Sequence, residues 1–129
     1  MTNCTPLQIG FPGFKRRKVE SSFSGGDISS DAGGCLLLRQ VDRRLGLLAK
    51  VKRTLIDPRR QPSCEHSLLS MLRQRVFGLA LGYEDINDHD HLRKDLALQT
   101  GVESDANLAS ASILSRLENR ADRQSAWSI

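Results

Sequence analysis

The stretch SCEHSLLSMLRQRVFGLALG, residues 63–82, decides the fold. Leu68, Leu69, Leu72, Val76, Leu79 and Ala80 recur at helical spacing, and Met71, Phe77 and Leu81 widen the apolar stripe. So wide a stripe predicts a helix at the centre of a bundle, one that must be covered on several sides. Ser63 is placed to cap it, Glu65 suits the positive end of its dipole, and Gly82 begins its exit.

Outward from this helix the chain keeps a helical period. Beyond it come an acidic turn, YEDINDHD (residues 83–90), and a helix over 91–98 ended by Gly101. A loop (104–107) then leads to a last amphipathic helix over 108–120. Before it, Leu38, Val41, Leu45 and Leu48 recur at spacings of three, four and three, which predicts a helix over 34–45 stopped by Gly46. Arg39, Asp42, Arg43 and Arg44 take its other faces. A second helix over 47–56 sets Leu48, Val51 and Leu55 against Lys50, Lys52 and Arg53, and DPRRQPS (57–63) is a linker.

The segment GGDISSDAGG (25–34) reads as a turn, with Asp31 or Ser30 capping the helix that follows. Residues 18–24 read as a short strand. Residues 1–17 read as a loose arm with a basic cluster at Lys15, Arg16, Arg17 and Lys18. The expected fold is therefore mostly α: a bundle of about five helices with an N-terminal basic arm and one short strand. The chain divides into the arm (1–17), strand and Gly/Ser turn (18–34), a helical domain (35–123) and a tail (124–129) that resembles an interrupted element.

Charge and cysteines narrow the function classes. The net charge of +4 is unevenly placed. Residues 1–60 carry twelve Lys and Arg against five Asp and Glu, and residues 61–129 carry seven against ten. A basic front half suits a polyanionic partner or a solvated surface. Cys4, Cys35 and Cys64 form no C-x-x-C pair and are odd in number, which argues for reduced thiols and against a zinc knuckle or a disulfide framework. No apolar run approaches the ~18 residues of a membrane span. At the N-terminus the charges follow the weakly apolar part, the reverse of a secretory signal. A cytoplasmic protein is expected.

Three blocks carry a family resemblance: FSGGDISSDAGG (23–34) running into LLLRQVDRRLG, LRQRVFGLALGYEDINDHDHLRKD (72–95), and LSRLENR (114–120). In that order they resemble the N-terminal part of bacterial insertion-sequence transposases of the insertion sequence thirteen-eighty group, which are DDE enzymes. The resemblance implies transposition. It implies a region that helps recognise terminal inverted repeats and assemble the DNA complex. It also implies a downstream RNase H-like domain whose Asp-Asp-Glu set works with Mg²⁺ by two-metal phosphoryl chemistry. Those carboxylates have no matching positions here, so the chain is expected to lack the catalytic domain, to be inert alone and to hold no cofactor. The implied partners are DNA, a second copy of the chain and full-length transposase. A stand-alone helical regulator or interaction module that represses transposition is the alternative.

Candidate sites follow. The helix over 91–98, a Gly-containing connection and the last helix suggest helix-turn-helix geometry, with a connection longer than usual. On the last helix Ile113, Leu114 and Leu117 face inward. Ser112, Arg116, Asn119 and Arg123 recur on the opposite face, where Arg and Asn suit guanine and adenine edges and Ser suits phosphate. Together with Lys15, Arg16, Arg17 and Lys18 they form the expected DNA-contacting set. Glu84, Asp85, Asp88, Asp90 and Asp95, with His89 and His91, could hold a metal, but one turn seldom converges its ligands. Caps and ion pairs to Arg93, Lys94, Arg73 or Arg75 are the expected roles. No phosphate-loop, dinucleotide or nucleophile-elbow motif is present.

Overall fold

A computed structural model describes residues 8–15, 17–22, 32–120 and 127. Among the described residues a two-stranded antiparallel hairpin, β1 (Gln8–Phe14) and β2 (Arg17–Ser22), precedes six α-helices. These are α1 (Cys35–Leu45), α2 (Leu47–Thr54), α3 (Leu68–Ala80), α4 (His89–Leu92), α5 (Leu96–Val102) and α6 (Ala111–Arg120). The mostly helical expectation holds. Several local expectations change. Residues 8–14, expected within a loose arm, pair with the strand expected from Lys18, Phe11 opposite Val19. The helix expected over 91–98 is two helices, because Asp95 caps a new start by accepting from the N–H groups of Ala97 and Leu98.

The end signals act as helix chemistry dictates. Gly46 takes the left-handed conformation (φ 62°) and donates its N–H to the Asp42 carbonyl at 2.7 Å. Gly82 (φ 96°) closes α3 in a Schellman motif: Tyr83 N–H bonds the Gly78 carbonyl and Gly82 N–H the Leu79 carbonyl, both at 3.0 Å. The cap of α3 is Ser67, bonded to the Ser70 N–H, and not Ser63. Ser63 instead ends a short 3₁₀ turn over Gln61–Ser63, and Pro62 sits in the first turn of it, where its missing N–H costs nothing. The N-cap position of α1 is Gly34, with no side-chain cap; Ser30 and Asp31 lie outside the described residues. Gly101, expected to end a helix, lies inside α5. A Cβ there would stand 2.6 Å from Cys35 Sγ, so the glycine lets α5 press against α1.

One core gathers Cys35, Leu36, Leu48, Phe77, Leu92, Leu98, Val102 and Leu108; a second gathers Leu68, Met71, Ala109 and Leu114 beneath α6. α3 sits between them, as its apolar breadth requires. Its buried face is Leu68, Met71, Gln74, Phe77 and Gly78, however, while Val76 and Leu79 are exposed. α1 departs further from its pattern. It buries Cys35, Leu36, Arg39 and Asp42 and leaves Leu37, Val41 and Leu45 53–59% exposed.

The charged face of α1 turns inward because partners await it. Asp42 accepts from Arg73 Nε and from the Leu48 N–H, each at 3.0 Å. Glu103 receives Arg39 (3.3 Å), Arg43 (3.2 Å) and Arg73 (2.9 Å), which ties α1, α3 and the end of α5 together. Glu103 itself is left-handed (φ 66°), uncommon for a residue with a Cβ, and it closes α5 where a glycine could not bind three arginines. The hairpin joins this body through Arg39, which donates to the Gly13 carbonyl at 3.3 Å, and through an ion pair between Lys15 and Asp105.

Candidate nucleic-acid interface

α6 is set on the body by polar anchors as well as by its apolar side. The buried Gln74 amide meets both backbone groups of Ala109, donating to its carbonyl at 2.9 Å and accepting from its N–H at 3.0 Å. Asp90 Oδ1 accepts from the Ala111 N–H at 2.9 Å, satisfying a free donor of the first turn of α6. Leu114 is fully buried, Ile113 and Leu117 are half-buried, and Arg75 of α3 holds Glu118. α6 therefore rests on α3 and on the 3₁₀ turn Ile86–Asp88, whereas α5 packs on α1. The expected helix-turn-helix pairing of the last two helices is not the organising contact.

His89 completes this mounting. Its ring is fully buried against Gly78, where a Cβ would stand 2.7 Å from Cε1. Nδ1 lies 3.3 Å from the Gln74 amide nitrogen, and Nε2 has no partner among the described residues. An amide nitrogen can only donate, so Nδ1 accepts and the neutral ring carries its proton on Nε2. Burial, helped by the nearby Arg75 charge, lowers the pKa of His89 below its ordinary value of 6.5.

The acidic turn is thus the cradle of α6. Asp85 accepts from the Asn87 N–H, Asp90 from that of Ala111, and Asp95 caps α5. Among the described residues no three His, Cys, Asp or Glu side chains converge to hold a metal. The ion pairs expected between this turn and Arg73 or Arg75 do not form. Arg73 goes to Asp42 and Glu103, and Arg75 to Glu118 and the carbonyls of Tyr83 and Glu84.

The outer face of α6 presents Ser112, Arg116, Asn119 and Arg120, all exposed. Ser112 hydroxyl lies 3.0 Å from that of Ser110, and the Asn119 amide reaches Ser115 at 3.5 Å. Of the expected basic cluster, Lys15 sits at the hairpin turn in its ion pair with Asp105, and Arg17 and Lys18 begin β2. Arg16 and Arg123 lie outside the described residues. Sequence reasoning missed two arginines beside α6. Arg120 follows Arg116 by one helical turn, a visible signal. Arg59 comes from the linker, which no periodicity could have placed there. It is clamped by Asp57 (2.7 and 2.8 Å) and donates to the His66 carbonyl at 3.0 Å. The same clamp holds the Asp57 carboxyl far below its ordinary pKa.

Residues 11–129 match the family described as transposase DDE domain group 1. The chain belongs to that family. No curated protein and no solved structure matches it. For a transposase-family chain, an exposed Ser/Arg/Asn face on a firmly mounted helix is the surface to examine for DNA. Among the described residues no helix is long and apolar enough to cross a membrane.

Proposed function

We propose that this chain is the end-recognition and assembly part of a transposase of the insertion sequence thirteen-eighty group, acting in the cytoplasm on the element's terminal inverted repeats. The observation that carries this reading is the mounting of α6. Gln74, Asp90 and Arg75 fix the helix, and its free face offers Ser112, Arg116 and Asn119 to base edges or backbone. Arg123, outside the described residues, belongs to the same proposed set. Lys15, Arg16, Arg17 and Lys18 add phosphate contacts in this reading, which requires Lys15 to exchange Asp105 for phosphate. Strand cleavage belongs in this reading to the family's RNase H-like domain.

The test is titration of a labelled inverted-repeat duplex and a random duplex at low salt. Binding should weaken steeply with salt, and Asn119→Ala should cut the preference for the repeat by ~1–3 kcal/mol if Asn119 reads an adenine. A folded protein that binds neither duplex overturns the DNA reading. A second reading, assembly with another copy or with full-length transposase, is favoured by the exposed stripe Leu37, Val41 and Leu45 on α1. A stand-alone regulator would use the same stripe.

A further inference from the structure

Between the linker and α6 lies a concave notch of about 110 Å³ lined by Arg59, Met71, Ile113, Arg116, Leu117 and Arg120. We propose that this notch seats one backbone phosphate of duplex DNA, held by Arg116 and Arg120; the proposal rests on the DNA-binding reading above and names a contact within it.

Three features lead there. Arg116 and Arg120 stand one turn apart on α6, so their like charges repel. Neither side chain makes a hydrogen bond or ion pair with another described residue, whereas Arg39, Arg43, Arg59, Arg73 and Arg75 do; Arg44, Arg53 and Arg60 are unpaired too, so what sets Arg116 and Arg120 apart is that they line one notch together. Two unneutralised guanidinium groups on the rim of one notch match the oxygens of a phosphodiester, which planar N–H forks bind well.

The walls add to this. Met71, Ile113 and Leu117 are apolar, so the field of the two cations is less screened than over open water. The third arginine, Arg59, is fixed by Asp57 and the His66 carbonyl and forms a rigid floor whose charge Asp57 balances. Asp57, which lines the adjoining depression with Arg59 and Arg120, is the acid nearest this surface among the lining residues, and its clamp to Arg59 offsets its charge. Glu118, the acid on α6 itself, is drawn to Arg75 of α3. The notch is also several times the ~10–15 Å³ that a single water needs.

The experiment measures affinity for a random-sequence duplex across a salt series for the wild-type chain, Arg116→Gln/Arg120→Gln and Arg116→Lys/Arg120→Lys. Thermal melting checks that each is folded, and both positions are exposed. The Gln pair should flatten the slope of log affinity against log salt by about 0.9, the value for one phosphate, and the Lys pair should keep it. The single variant Arg120→Gln should weaken binding in the same direction. A wild-type chain that binds no DNA overturns the functional reading and this site with it. Wild-type binding with an unchanged slope in the Gln pair overturns the site alone. Inorganic phosphate that raises the melting temperature of the wild type, with no change of slope in the Gln pair, marks a free-anion site and also overturns the duplex assignment.

Discussion

His89 shows how one residue can couple stability to pH here. It is buried as a neutral ring, and burial lowers its pKa below 6.5; His66 is lowered for the same reason. The unfolded chain therefore takes up protons first as pH falls. Stability from these two residues is complete above about pH 6.5 and is lost progressively below it, by at most about 1.4 kcal/mol per pH unit for each proton. Asp57 acts in a separate window: its pKa is lowered by Arg59, so its contribution is complete above about pH 3.8 and fails only in stronger acid. Urea denaturation from pH 7.5 to 5 should show falling midpoints, and His89→Gln should shallow that fall. Equal midpoints across the range would contradict the buried neutral ring. Cys35 stays a thiol throughout, because burial and the nearby Asp95 charge push it up to about 12.

At the scale of the element, α3 is the helix whose burial matters most, and the face that matters is now defined. Met71 is 2% exposed and joins the core beneath α6, while Val76 is 40% exposed. Met71→Ala should cost ~2–5 kcal/mol, a large share of a small domain's stability. Val76→Ala should change it by no more than about 0.5 kcal/mol. Urea midpoints read both, and the reverse ranking would restore the stripe expected through Leu72, Val76 and Leu79. α6 behaves differently: its inward and outward faces lie where its period places them, because only one side of it is covered.

For the whole molecule, the exposed α1 stripe predicts association. Val41→Lys/Leu45→Lys should leave the melting temperature nearly unchanged, since both side chains are more than half exposed. Sedimentation velocity should show the wild-type chain associating as concentration rises and the variant remaining monomeric. A wild-type chain that stays monomeric at every concentration would remove self-assembly through α1 and leave a different partner for that face.

The helical class, the stops at Gly46 and Gly82 and the inward and outward faces of α6 follow from the sequence alone. Each depends on local chemistry: helical period, left-handed glycine or a one-sided apolar stripe. That the chain is of a DDE transposase family could be read from ordered blocks for a similar reason, since residue types at fixed spacing survive without coordinates. Tertiary structure decided what local pattern cannot. Arg39 and Asp42 are buried because Glu103 and Arg73 arrive from distant segments to neutralise them, and that inverts the face that hydrophobicity alone selects for α1. Likewise Arg59 reaches the notch beside Arg116 and Arg120 only because the linker folds against α6, a juxtaposition set by packing across more than fifty residues.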